Sequence, residues 1–362
     1  MNSVEIAVVG AGPAGLSAAL AAARQGATVA LIERDERLGG QLIKQTHKFF
    51  GSGRQEAGTR GFVIARRLAA AVEEEPGIEV RLASTVLGYY SDKVLYLETP
   101  DGLSRLRAER TIMATGAAER MLPFAGNDRP GVYGAGAVQT LMNVHGVRPG
   151  KRVLMVGAGN IGLIVSYQLL QARVEVAAVV EAAPFIGGYL VHAAKIRRAG
   201  VPILTGHSVK EAVGEREVQG AVVWRLDEKW HPLPGTEEPV DCDVICLATG
   251  LTPLSELMWQ AGCKMVYLPE LGGHVAWHDE DMRTTVEDVY VAGDSSGVEE
   301  ASAAMVGGRL AGLCAAASLG HDRGVADKKA AAREELAALR AGPTGERIRT
   351  GLAGLRKAGG LG

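Results

Sequence analysis

Two six-residue segments, Gly10-Ala11-Gly12-Pro13-Ala14-Gly15 and Gly157-Ala158-Gly159-Asn160-Ile161-Gly162, share one glycine spacing. In each, the first glycine permits a tight turn and the second lets backbone approach a pyrophosphate. The third lets a helix pack close on a strand. The amides and positive dipole end of that helix then face the phosphates. An acid closes the next apolar run in both cases, Glu33 after TVALI and Glu181 after VEVAAVV. A carboxylate there accepts hydrogen bonds from ribose hydroxyls. At Glu181 it also repels a 2′-phosphate, and Ala182-Ala183-Pro184 supply no arginine to hold one, which favours NAD over NADP. Glycine turns made only for packing would leave both acids unexplained.

The elements that must position these residues follow from the pattern. VEIAVV (4–9) is strand-like, Pro13 to Gln25 helix-like, and TVALIE (28–33) strand-like again, a βαβ unit. The order recurs at 152–181, with Gly157 147 residues after Gly10, so the chain carries an internal repeat of one supersecondary unit. Residues 77–102 read as a small antiparallel meander. RTIMATG (110–116) reads as a buried strand with a twin, DVICLATG (243–250). VYVAG (289–293) is another short strand, and a helix follows through Leu319. The fold class expected is α/β with two Rossmann-like dinucleotide-binding domains. Gly293-Asp294 ends that last strand, where the Asp294 carboxylate is placed to bind a ribityl chain. The helix start at Glu300-Ala301 is placed to face a flavin pyrimidine. A plain helix N-cap is the other role open to Asp294, but together with the N-terminal fingerprint the pair points to FAD at the first site and NAD at the second.

Bulk properties bound the rest. A length of 362 residues suits two domains. The composition is that of a globular chain, and a net charge of −2 offers no global basic field for nucleic acid. No apolar run is long enough to predict a membrane span, and the N-terminus lacks a signal-peptide pattern. Four scattered cysteines suit a reduced, cytoplasmic location. No Ser-His-Asp arrangement and no metal-ligand set stands out. Lys44, His47, Lys48 and Arg54 cluster after Gly39-Gly40-Gln41-Leu42. They read as a basic surface loop, or as cations that stabilise a reduced anionic flavin, with His47 relaying a proton. Residues 326–362 carry about +4 against about −6 for the remainder. Leu336, Leu339, Ile348, Leu352 and Leu355 recur at helical spacing around Gly342-Pro343. Two short amphipathic helices are expected, docking either a partner subunit or the chain's own body.

GAGPAG, GGQL (39–42), both ATG segments, GAGNIG and VAGD together resemble the pyridine nucleotide-disulfide oxidoreductase superfamily over about residues 3–320. The resemblance implies a discontinuous FAD domain (1–116 and 246–325), an inserted NAD domain (117–245) and a separate basic tail (326–362). It also implies that Gly39-Gly40-Gln41 runs beside the flavin ring, where Gln41, Lys44 and His47 are the candidates for chemistry. Arg34, Val86, Ala114, Thr115, Gly116 and Gly250 complete the expected cofactor-binding set.

One departure matters. Disulfide reductases of that family carry a redox pair of cysteines in GVYGAGAVQTLMN (131–143) or GGQLIKQTHKFF (39–50), and both stretches lack cysteine here. Cys242 and Cys246, if both lie on one strand, have Cα atoms about 13 Å apart at roughly 3.3 Å per residue. A disulfide needs about 4.4–6.8 Å. DRPGVYGAGAVQTLMN (128–143) and GVEEASAAMVGGRLAG (297–312) are similar instead to the flavin subunits of amino-acid and opine dehydrogenases, of sarcosine oxidase (its alpha type) and of hydrogen cyanide synthase. That similarity implies a module that exchanges electrons with a separate iron–sulfur or dehydrogenase partner subunit, with NADH the expected partner at the second fingerprint. A second nucleotide site that holds structural ADP or ATP, and a flavin subunit of a tungsten aldehyde oxidoreductase-type complex, are the alternatives.

Overall fold

A computed structural model describes residues 2–49 and 53–359. Phe50 and the last three residues of the tail, 360–362, lie outside the described residues. The chain forms two compact units, one of residues 1–118 with 251–362, the other of 119–250.

The first stretch runs β1 (Asn2–Val9), α1 (Pro13–Ala23), β2 (Val29–Ile32), α2 (Gly61–Glu73), β3 (Ile78–Arg81), β4 (Thr85–Tyr89), β5 (Val94–Thr99) and β6 (Gly102–Met113). After the short β7 (Ala117–Glu119), the inserted unit follows. It holds β8 (Val132–Gly134), α3 (Ala135–Asn143), β9 (Arg152–Val156), α4 (Asn160–Gln171), β10 (Glu175–Glu181) and α5 (Leu190–Arg198). It continues with β11 (Ile203–Thr205), β12 (His207–Val213), β13 (Gly220–Arg225), β14 (Glu238–Val240) and β15 (Val244–Leu247). The return stretch holds β16 (Leu251–Pro253), α6 (Glu256–Gln260), β17 (Met265–Leu268), β18 (Gly273–Ala276), β19 (Val289–Val291), α7 (Ala301–Ala317), α8 (Val325–Leu339) and α9 (Glu346–Ala358).

In the discontinuous unit the parallel strands lie in the order β3-β2-β1-β6, with β19 on the far side of β6. The N-terminal half of β6 pairs antiparallel with β5, and β5 with β4. Strand β3 therefore belongs to the parallel sheet, and the expected meander is confined to β4-β5-β6. The inner parallel strands β2, β1 and the C-terminal half of β6 are apolar on both faces, as strands covered on both sides must be. Ile6, Val8, Leu31 and Ile112 meet α1 and α7 on one face, and Ala7, Val9, Ile32 and Met113 build a second cluster on the other. The inserted unit repeats the scheme as an all-parallel sheet, β11-β10-β9-β15-β8, beside an antiparallel sheet β12-β13-β14.

Helices α1 and α7 meet through small residues. A Cβ on Gly308 would overlap the Ala14 carbonyl, and one on Gly312 the Ala18 carbonyl. The helices approach until backbone touches backbone, which fixes the depth of α1 behind the sheet.

Two boundary expectations are corrected. The return crossing lies at 250/251 and not at 246, because β15 pairs with β9 and β8 and so belongs wholly to the inserted unit. The tail is not a separate body: Leu336 of α8 is buried with α1 and α7, and Ile348 and Leu355 of α9 with Leu271 and Val275. Its apolar faces exist as expected, but this chain covers them. Its charge has the same explanation. Lys329 and Arg333 pair with Asp281, Arg340 with Glu299 and Arg356 with Glu280. The opposite sign of the tail complements the body of this chain.

Candidate functional site

The first fingerprint sits where β1 ends. Gly10 has φ +99°, and a Cβ there would overlap the Ala114 carbonyl. A Cβ on Gly15 would strike the Gly10 carbonyl, whereas Gly12 opens on free space. Gly12 is the extended N-cap of α1 with no side chain capping it, and Pro13 opens the helix. Proline costs nothing there because that first N–H has no helical partner. The free amides of the first turn and the bare backbone at Gly12 suit a pyrophosphate.

Glu33 stands at the end of β2, 7% exposed. Its Oε2 accepts the Ala11 N–H (2.7 Å) and its Oε1 the Asp35 N–H (3.0 Å). A carboxylate offers about four acceptor positions, so two remain for ribose hydroxyls on a group already held in place. Arg34 is exposed, beside Asp35. Val86 packs into the cluster on the sheet face away from α1. The Gly39-Gly40 turn lies over the fingerprint: Gly39 N–H donates to Ala11 O (2.9 Å), and a Cβ on Gly40 would come within 2.7 Å of Gly12 Cα. Gln41 is exposed, Lys44 ends the short helix Gly40–Lys44, and the His47 ring stacks on Phe49. The Thr115 hydroxyl donates to Leu254 O (2.7 Å), and Gly116 takes φ +79°.

The 293–301 segment meets the fingerprint. Gly293 has φ +70°, and a Cβ on it would lie 2.6 Å from Ala14 Cβ. Asp294 follows in a single turn of 3-10 helix, its Oδ1 accepting the Glu299 N–H (3.3 Å). Burial raises the Asp294 carboxyl to about 6; the Glu299 N–H works against this, while the Glu299 and Glu300 carboxylates add to it. Glu300 is the N-cap of α7 with no side-chain capping bond, so Ala301 begins a helix with open amides.

The inserted unit duplicates this construction. Gly157 has φ +110°, and Cβ atoms on Gly157 and Gly162 would strike the Ala248 and Gly157 carbonyls. Gly159 is the uncapped, open N-cap of α4. Glu181 Oε2 accepts Ala158 N–H (2.7 Å) and Oε1 accepts Ala183 N–H (3.0 Å), the same pair of bonds as at Glu33. Gly188 N–H donates to Ala158 O (2.9 Å). Asn160 Oδ1 accepts the Tyr189 N–H (2.8 Å) and so fixes the turn over the fingerprint. Ile161 is 40% exposed. Gly250 takes φ +112°, its carbonyl accepting the Arg120 N–H.

Two features escaped the sequence reading. Gly187-Gly188 follows Glu181 at the offset by which Gly39-Gly40 follows Glu33, a readable signal. Glu119 accepts the Gly136 N–H (2.5 Å) and the Ala137 N–H (3.2 Å) where α3 begins, and no local pattern announces it. All four cysteines are buried and free. Cys242 falls just before β15 and Cys246 on it, so the two do not share a regular strand. Burial pushes the Cys242 thiol up to about 11, helped by Asp241 and Asp243, and raises Cys246 further. His192 is buried, which lowers its pKa, with Lys195 adding to the effect. Among the described residues no group of three or more His, Cys, Asp or Glu could hold a metal ion, and no helix is long and apolar enough to cross a membrane.

A Rossmann-like unit inserted in another, each with its fingerprint and carboxylate, defines a two-dinucleotide oxidoreductase scaffold. Residues 4–308 match the family described as pyridine nucleotide-disulphide oxidoreductase, and the chain belongs to that flavin-dependent family. Its relatives include the alpha subunit of sarcosine oxidase from Rhizobium meliloti (strain 1021), 29% identical over 75% of this chain and 27% of that protein. The opine oxidase A subunit of Agrobacterium tumefaciens (strain Ach5) is 28% identical over 87% of this chain and 66% of that one. The chain thus spans between a quarter and two thirds of these two relatives. Thioredoxin reductase from T. acidophilum shares the fold, with a TM-score of 0.73 at 23% identity over 88% of this chain and 99% of that one.

Proposed function

We propose that the discontinuous unit binds FAD, that the inserted unit binds NAD(H), and that the chain exchanges a hydride between them. On this reading it serves as the electron-transfer subunit of a multi-subunit dehydrogenase with an iron–sulfur partner. The observation that carries the reading is the duplicated fingerprint, each copy with a carboxylate held by the same two backbone donors. The residues fit the groups. Gly12 and the first turn of α1 cradle a pyrophosphate, Glu33 takes the ribose hydroxyls and Asp294 a ribityl hydroxyl. The open amides at Ala301 face the pyrimidine. Gly159, the first turn of α4 and Glu181 do the same for NAD. Bound FAD would supply an acceptor that takes two electrons as a hydride and releases them singly. The chain contributes orientation, so no acid or base is required at the hydride itself.

Two relatives named as subunits of oxidases support a place in a larger assembly. Four buried thiols, two of them raised to about 11 and about 12 by burial, argue against disulfide reduction. Anaerobic stopped-flow mixing tests the reading: the purified protein should release FAD and not FMN, and NADH should bleach the flavin much faster than NADPH. FMN alone, or no bleaching by NADH, overturns it; the second result with tightly bound ADP would favour a structural nucleotide in the inserted unit.

A further inference from the structure

The loop between Asp294 and α7 is held from the tail. Arg340, the C-cap of α8, makes a two-pronged pair with Glu299, its Nε 2.9 Å from Oε2 and its Nη2 2.6 Å from Oε1. The side chains are only 20% and 12% exposed. A fork-to-fork pair of this kind is directional and stronger than an ordinary surface pair. Next to it, Arg347 of α9 donates to Val298 O (3.2 Å), while Val298 N–H donates to Leu271 O (3.0 Å). Leu271 is fully buried beneath α9. Arg349 bonds the carbonyls of Arg340 and Gly342, which fixes the turn that presents Arg340. Val298 is thus gripped at the backbone and Glu299 at its side chain by the tail. Glu299 is also the residue whose N–H orients the Asp294 carboxylate.

We infer that Arg340 is a positioning residue for the flavin site: through Glu299 the tail sets the Asp294–Ala301 loop in its binding geometry before the cofactor arrives. The inference rests on the FAD reading of this unit. Without the Arg340–Glu299 pair the loop has to be ordered by the ligand, and affinity falls by the cost of ordering it.

The test uses the full-length chain, with hydrogen exchange read on peptides spanning 294–301 in the FAD-free protein and FAD affinity read by fluorescence titration. Arg340→Ala should speed exchange at 297–300 about tenfold and weaken FAD about tenfold, the loss of a charge-assisted bond. Arg340→Lys should recover part of both, and the double exchange Glu299→Arg with Arg340→Glu most of both. Arg333→Ala, which removes one of the tail's two pairs with Asp281, should leave 297–300 protected. Unchanged exchange and affinity in Arg340→Ala, or equal loosening by Arg333→Ala, overturns the inference. A wild-type chain that binds no FAD instead overturns the reading it rests on, a result told apart because it does not depend on the variants.

Discussion

The two fingerprints have the same skeleton and different surroundings. At the first, Ala14 and Leu42 are buried, with α7 lying against α1. At the second, Ile161 and Val191 are about 40% exposed, and Leu190, at the position that matches Leu42, is 79% exposed. One construction is roofed and the other open. On the proposed reading the difference separates a resident cofactor, shut in by packing, from a nucleotide that must come and go. On the same reading the glycines are common to both because a pyrophosphate would demand them, and the cover would differ because the two ligands' residence times do.

Breaking the skeleton should have the largest effect. Gly15→Ala forces a methyl into the Gly10 carbonyl and should cost more than about 3 kcal/mol, with loss of flavin from the purified protein. Gly162→Ala should leave the flavin absorbance in place and abolish its bleaching by NADH. Loss of flavin in both variants would dissolve the distinction between the units. The roof comes next. Gly308→Val should destabilise by about 2–4 kcal/mol in denaturant titration, since backbone lies where the side chain would go. Ile161→Ala should change stability by no more than about 0.5 kcal/mol while slowing bleaching by NADH.

Asp294 gives a smaller, pH-dependent effect. Its folded pKa of about 6 lies above the ordinary carboxyl value. The folded chain therefore binds that proton more tightly than the unfolded one. The penalty for ionising it is absent below the unfolded pKa and complete above about 6. Asp294→Asn should stabilise the FAD-free protein, and by about 1 kcal/mol more at pH 8 than at pH 5. A pH-independent difference in thermal melts would show that the carboxyl is not held neutral. The smallest effect expected is at Glu181→Ala, which should narrow the preference for NADH over NADPH roughly tenfold without altering flavin content.

What was legible in the sequence is what local chemistry dictates. Gly10, Gly12 and Gly15, their counterparts at 157–162, and the acids Glu33 and Glu181 are fixed by turn sterics and by the helix end they create. The parallel pairing of β3 with β2 was not legible, because strand direction depends on a partner nearly fifty residues away. Nor was the boundary at 250, which depends on β15 joining β9. The tail shows the limit most clearly. Periodic Leu336, Ile348 and Leu355 announce that a face is covered, and only the fold shows that Leu271 and α7 cover it. Glu119 left no trace, because a carboxylate that docks on helix amides seventeen and eighteen residues later has no spacing rule.

The seam between α1 and α7 also has a consequence for how the protein is made. Its two halves, Pro13–Ala23 and Ala301–Ala317, leave the ribosome far apart in time. At ordinary elongation rates the first waits on the order of tens of seconds for the second. During that interval the inserted unit is synthesised whole, from contiguous chain, while β1, β2 and β6 present an unsealed apolar face and the free edge that β19 will occupy. Synthesis thus builds the inserted unit before it can finish the discontinuous one.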